Sequence, residues 1–315
     1  MKLNLEIEEN LQEENILYEK LFFLAGDASP RKYFIIKQQK KENILMYDND
    51  SSNLQRFIFL TNHLNGYASI PKIIYNLSHR GILILENFKN KFSQIINSNN
   101  KKKIYDVALD SLIFIHKSNF NIRLPYYNIN EYLKESNLFF DWFVENQRTF
   151  DLMEIKQEFN EIFKDYLKRT SKLPKVFIHR DYHVDNLFYL NKRKNHLKCG
   201  WIDYQDAVIG PCVYDIVSLA QDARIDVDKS IEKELIRKYL KNFKAIDIDL
   251  FMDSYNLIAI QRHLKVLGIF SRLAKRDNKK NYLRYLPRVL KLLNNNLEKN
   301  EYRSFSKIIK QFISE

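Results

Sequence analysis

The stretch from Val176 to Asp215 limits what this chain can become more than any other part of it. It reads Val-Phe-Ile-His179-Arg180-Asp181-Tyr182-His183-Val184-Asp185-Asn186, then a strand pair, then Trp201-Ile202-Asp203-Tyr204-Gln205-Asp206, and closes on Tyr214-Asp215. Moving a γ-phosphoryl group needs little covalent help: an oriented acceptor hydroxyl, magnesium bridging the phosphates, and neutralised charge. His179-Arg180-Asp181, followed by four residues and Asn186, fits a catalytic loop in which the aspartate accepts the hydroxyl proton and the asparagine holds a metal. A second ligand is expected just past the next strand. Asp203 meets that requirement, 203 − 181 = 22 positions beyond the candidate base. Magnesium takes oxygen ligands and keeps waters, so one carboxylate, one amide oxygen and the nucleotide phosphates suffice. The stretch therefore reads as the centre of a kinase using ATP and Mg2+.

Small acceptors are favoured over proteins. Between Asp203 and a helix expected near Val213 there is no room for a long activation loop, and Asp203-Tyr204-Gln205 stands where Asp-Phe-Gly is usual. An insert at 125–170 is suited to wall in a small substrate. Tyr182, His183, Gln205, Asp206, Arg224 and Trp142 have the chemistry of a sugar site, although core packing is the preferred reading of Trp142. Two other readings compete. His179, Asp181, His183 and Asp185 alternate and on a strand would share one face, as in a metal-dependent hydrolase. That reading leaves Asn186 and Asp203 idle, and the remaining histidines stand alone. A non-catalytic nucleotide-binding scaffold is disfavoured by the intact acid and amide set.

Composition adds exclusions. A length of 315 residues suits one two-lobed domain or two tightly joined ones. The acidic N-terminus lacks a continuous apolar run, and runs such as Gly81-Ile-Leu-Ile-Leu85 end at charges too soon to span a bilayer, so no membrane association is expected. Cys199 and Cys212 make no disulfide framework and read as reduced thiols of a cytoplasmic protein. The net charge of +12 is spread along the chain, which favours a solvated basic surface over a nucleic-acid partner. A monomer is expected.

The periodicities predict an α+β chain. A short helix or helix-to-strand transition is expected over 8–22, then a hairpin across Gly26-Asp27-Ala28-Ser29-Pro30, a third strand at Asn43–Met46, and a helix over Leu54–Leu64 capped by Ser51-Ser52. A second hairpin spans Ile73–Leu77 and Gly81–Leu85. Helices are expected at 104–116, 130–147 and 151–170, strands at 175–178, 187–190 and 197–202, and helices beginning near Val213, Ser230, Asp247, Tyr282 and Tyr302. The outline is a two-lobed, protein-kinase-like fold, with a small β-rich nucleotide-binding lobe at 1–88 and a large, mainly helical catalytic and substrate-binding lobe at 89–315.

Ile178 to Leu187, Ile202 to Pro211 and Tyr214 to Arg224 together resemble the aminoglycoside phosphotransferase-like kinases. Gly26 to Phe34, Leu138 to Phe143, Gln261 to Leu273 and Tyr282 to Val289 resemble, within them, the anomeric N-acetylmuramate/N-acetylglucosamine kinases of bacterial cell-wall recycling. The resemblance implies ATP-dependent phosphorylation of the C1 hydroxyl of an N-acetylated amino sugar, or else of another small hydroxylated acceptor such as an aminoglycoside or a choline-like amino alcohol. It carries Asp181 over as catalytic base, Asn186 and Asp203 as magnesium ligands, and Asp215 as support for the catalytic loop. It implies a hinge at Glu86 to Phe88 whose backbone meets adenine, and Ser29 and Arg31 near the phosphates. His183, Gln205, Asp206 and Arg224 are the candidate acceptor contacts. The pattern departs at the third strand, where Met46 replaces the usual lysine and the following helix carries no glutamate. Arg31, Lys32 and Lys37 are the candidates to neutralise phosphate instead.

Overall fold

Alternation along β2 (Lys32–Gln38) and β3 (Lys41–Tyr47) sends Phe34, Ile36 and Leu45 to one face of the N-terminal sheet and Met46 to the other. This computed structural model describes residues 2–26, 31–39, 41–118, 120, 122–144 and 152–313. With β1 (Lys20–Gly26), β4 (Ile73–Leu77) and β5 (Ile82–Leu85) the sheet has five strands, all antiparallel, in the order β1-β2-β3-β5-β4. The first helix, α1 (Lys2–Glu13), lies earlier than the periodicity predicts. Its Ile7 and Leu11, one turn apart, bury against Phe34, Ile36, Leu45, Ile82 and Ile84 on the sheet's outer face. The inner face, with Leu83 and Leu85, joins α2 (Ser51–Leu64) in the main core. α2 is capped by Asp50 rather than by the serines. The Asp50 carboxylate accepts the amides of Ser52 and Asn53 at 2.9 and 3.3 Å, where the helix dipole also favours a negative charge.

The rest of the chain is mostly helical: α3 (Phe92–Ile95), α4 (Lys101–Lys117), α5 (Ile129–Ser136), a π-helical turn at Phe139–Phe143, and α6 (Leu152–Thr170). The helix expected over 130–147 is therefore α5 plus the π turn, and its end lies outside the described residues. Four short strands follow: β6 (Lys175–Ile178), β7 (Leu187–Tyr189), β8 (Cys199–Trp201) and β9 (Val208–Pro211). The helices α7 (Tyr214–Ala220), α8 (Lys229–Asn242), α9 (Ile248–Lys275), α10 (Leu286–Leu297) and α11 (Arg303–Ile313) complete the fold.

Helix α9 is the axis of this half, with 28 residues and a middle buried on nearly every side. At Gly268 it meets the π turn's lead-in so closely that a Cβ would stand 2.2 Å from the Leu138 carbonyl carbon, so no other residue fits. Both cysteines are buried free thiols. Among the described residues no helix is long and apolar enough to cross a membrane.

Candidate active site

Residues 179–186 connect β6 to β7, and 202–207 connect β8 to β9. Because β6 pairs with β9 (Ile178 opposite Val208) and β7 with β8 (Leu187 opposite Trp201), the two loops lie side by side with all four ends held. Cross-links join them further. The Ile202 amide donates to the Asn186 carbonyl at 3.0 Å, and His179 Nε2 lies 3.0 Å from the Ile202 carbonyl. Burial pushes the His179 imidazole down to about 4, so the ring is neutral and its Nε2 is the donor. The alternating His/Asp run is thus a loop, not a strand face. Among the described residues, no three His, Cys, Asp or Glu side chains converge as they would around a metal ion.

Asn186 and Asp203 come together. The Asn186 amide nitrogen donates to the Asp181 carbonyl at 3.0 Å and lies 3.5 Å from Asp203 Oδ2, which leaves Asn186 Oδ1 as its acceptor atom. Asp203 and Arg180 both adopt the left-handed backbone region, at φ +62° and +74°. Such non-glycine residues cost about 1–3 kcal/mol each and persist where surrounding contacts over-determine them. For Arg180 the contacts are visible. Asp215 Oδ2 and Oδ1 accept the His179 and Arg180 amides at 2.6 and 3.1 Å, and Arg262 Nη1 donates to the Arg180 carbonyl at 2.8 Å. Burial raises the Asp215 carboxyl to about 7 despite those bonds.

Burial also opposes charge on Asp181, but Lys265, Arg262 and Arg180 outweigh it and hold this carboxyl well below the usual range. Lys265 is buried on α9 and bonds Glu135 at 3.0 Å, while Arg180 and the Tyr127 hydroxyl bond the same carboxylate. Glu135, Arg262 and Lys265 were missed as site residues in the sequence. Their signal was faint: two cations three positions apart inside an otherwise apolar helical stretch, where charge is rare unless paired.

The candidate acceptor residues divide. His183 is buried, and its imidazole is held well below the usual range, chiefly by that burial. Gln205 bonds Asp203 Oδ1 at 2.8 Å and Asp206 Oδ2 at 3.5 Å, and the exposed Asp206 gives its carbonyl to Arg180 at 3.3 Å. Arg224 pairs with Asp185 at 3.1 Å and lies over the Phe270 ring. Tyr182 turns away into the core, fully buried, with its hydroxyl donating to the Ala108 carbonyl at 2.7 Å. Trp142 is half-buried on the π turn.

Of the residues expected to meet the nucleotide, Glu86 has its amide bonded to the Lys72 carbonyl at 2.8 Å and its carboxylate to Arg193 at 2.9 and 3.1 Å. Phe88 is buried beside Phe188, with the Arg193 guanidinium over its ring. Arg31 is buried and paired with Asp48 at 2.9 Å. Lys32 is exposed, Lys37 stands 4.0 Å from Glu19, and Ser29 lies outside the described residues.

Comparison with known proteins gives concordant results. A model of the phosphotransferase enzyme family matches residues 21–248. The N-acetylmuramate/N-acetylglucosamine kinase of Neisseria meningitidis is 29% identical over 286 residues, covering 87% of this chain and 84% of that one. The protein of the same name from Pseudomonas putida is 30% identical, over 86% of this chain and 81% of that one. Among solved structures, ADP-bound aminoglycoside phosphotransferase APH(2″)-Ib superposes with a TM-score of 0.61 at 15% identity, over 92% of this chain and 98% of that one. The Streptococcus pneumoniae choline kinase superposes at 0.62 and 13% identity, over 94% and 100%. These last two are likenesses of fold.

Proposed function

The chain belongs to the phosphotransferase enzyme family, and from that premise we propose that it transfers the γ-phosphoryl group of ATP to the anomeric C1 hydroxyl of N-acetylmuramate, N-acetylglucosamine or both. The observation that carries the reading is the pair of clamped loops, which bring Asp181, Asn186 and Asp203 to one place. The names of the relatives support the choice of acceptor.

In this reading Asp181 orients the acceptor hydroxyl and takes its proton. A carboxyl kept ionised by Lys265, Arg262 and Arg180 is available for that at any physiological pH. Asn186 and Asp203 offer an amide oxygen and a carboxylate, hard donors that fit magnesium. When bound, that ion neutralises charge on the phosphates. Glu86 to Phe88, Ser29 and Arg31 are assigned to the nucleotide in this reading. His183, Gln205, Asp206 and Arg224 lie on the acceptor side. The lobes divide at 1–88 and 89–315, and the protein acts as a cytoplasmic monomer without nucleic acid.

The test is an ATP-consumption panel of both sugars, an aminoglycoside, choline and a peptide, with and without chelator. Turnover of the sugars with loss of the reducing end, abolished by chelation, is expected. Turnover of choline or the aminoglycoside but neither sugar overturns the acceptor assignment, and zinc-restored hydrolysis without ATP overturns the kinase reading.

A further inference from the structure

The lysine–glutamate pair that usually connects the nucleotide-binding strand to its helix is missing, and Met46 is fully buried in the lysine's place. Helix α2 instead reaches the second loop directly. The half-buried Arg56 donates from Nε to the Gln205 carbonyl at 2.5 Å and from Nη2 to the Ala207 carbonyl at 3.2 Å. Further along the helix, Thr61 Oγ1 lies 2.7 Å from the Tyr204 hydroxyl. Phe57, between them in sequence, stacks on the Tyr204 ring with centroids 5.3 Å apart. Tyr204, Gln205 and Ala207 lie within four positions after Asp203, and Gln205 also bonds the Asp203 carboxylate with its side chain.

We propose that Arg56 is a positioning residue for the metal–nucleotide site: its fork, aided by the Thr61–Tyr204 bond, fixes the backbone after Asp203 and thereby the aim of that carboxylate. Asp203 holds a left-handed conformation that the loop must be made to keep. The two strand pairs restrain the loop's ends, while Arg56 restrains its middle from the opposite lobe. A guanidinium suits the task because its rigid planar fork spans two carbonyls at once, which the single ammonium of a lysine does less well. The device replaces the missing ion pair with a cation-to-backbone contact, so α2 acts on the metal ligand without touching the phosphates.

The inference rests on Asp203 being a magnesium ligand, so the experiment separates the two claims. Binding of ADP is measured calorimetrically with and without Mg2+ for the wild type, Arg56→Ala, Thr61→Val and the control Asp203→Asn, with unfolding midpoints recorded. Arg56→Ala should bind metal-free ADP within about two-fold of wild type yet lose about ten-fold or more of the affinity that magnesium adds, the scale expected for a residue behind a metal ligand. Equal losses with and without magnesium, or no loss in a folded Arg56→Ala protein, would reduce Arg56 to a strap between lobes and overturn the proposal. If Asp203→Asn keeps the magnesium increment, the metal assignment itself fails and the inference falls with it. If Arg56→Ala does not fold, Arg56→Lys and Thr61→Val decide: each should lose part of the magnesium increment, and a full increment in both overturns the proposal.

Discussion

Asp215 Oδ2 sits 2.6 Å from the backbone nitrogen of His179, and this one carboxylate holds the start of the loop that carries Asp181. Replacing it with asparagine leaves one acceptor for two amides. Asp215→Asn should cost about 1–3 kcal/mol, the penalty of an unsatisfied buried donor, and lower kcat more than it raises KM. The pH dependence has a definite sign. With its folded-state carboxyl raised to about 7, Asp215 keeps its proton between about pH 4 and 7 while the unfolded chain loses it, so its contribution to stability falls as pH rises through that window. Denaturant titrations from pH 4 to 8 should show this slope in the wild type and not in Asp215→Asn.

Asp181→Ala and Asp203→Ala should each lower kcat by about 10²-fold or more, the range for losing a positioned base or a charge-stabilising ligand. Circular dichroism and unfolding midpoints should stay near wild type. Ordinary turnover by either variant sinks the mechanism.

Lys265 is the cation that weighs most on Asp181, which gives a second pH prediction. Lys265→Met removes that charge and lets the Asp181 carboxyl rise toward the ordinary range. The acidic limb of kcat/KM should therefore move to higher pH. An unmoved limb in a folded variant would show that the Lys265–Glu135 pair is purely structural.

Gly268→Ala tests the contact between α9 and the segment before the π turn. Alanine normally stabilises a helix interior relative to glycine by about 0.5–1 kcal/mol. Here its methyl would overlap the Leu138 backbone, so the change should destabilise by about 1–3 kcal/mol or more. A raised unfolding midpoint would contradict the close approach.

The N-terminal sheet, α2 and the two loops were legible in the sequence because their signals are local: alternation, a turn, or fixed spacing within one loop. β9 was not, since Val208-Ile209-Gly210-Pro211 carries residues that break strands and is a strand only because β6 lies beside it. Helix α1 was misplaced because its short apolar stripe has meaning only against the outer face of the sheet. The departures within the site have the same cause. The sequence puts Tyr182 among the candidate sugar contacts, whereas the fold turns its hydroxyl toward the Ala108 carbonyl. Arg56, Glu135 and Lys265 owe their importance to partners tens to more than a hundred positions away, which no short motif records.

The two strand pairs that hold both loop ends make Asp181, Asn186 and Asp203 parts of a single braced insert. The ordering entropy of that insert is met once, during folding, and not again at each turnover. None of the proposed acceptor contacts, His183, Gln205, Asp206 and Arg224, occupies a strand position in those ladders. A descendant of this chain is thus free to exchange the residues facing its sugar while the spacing that moves phosphate stays as it is.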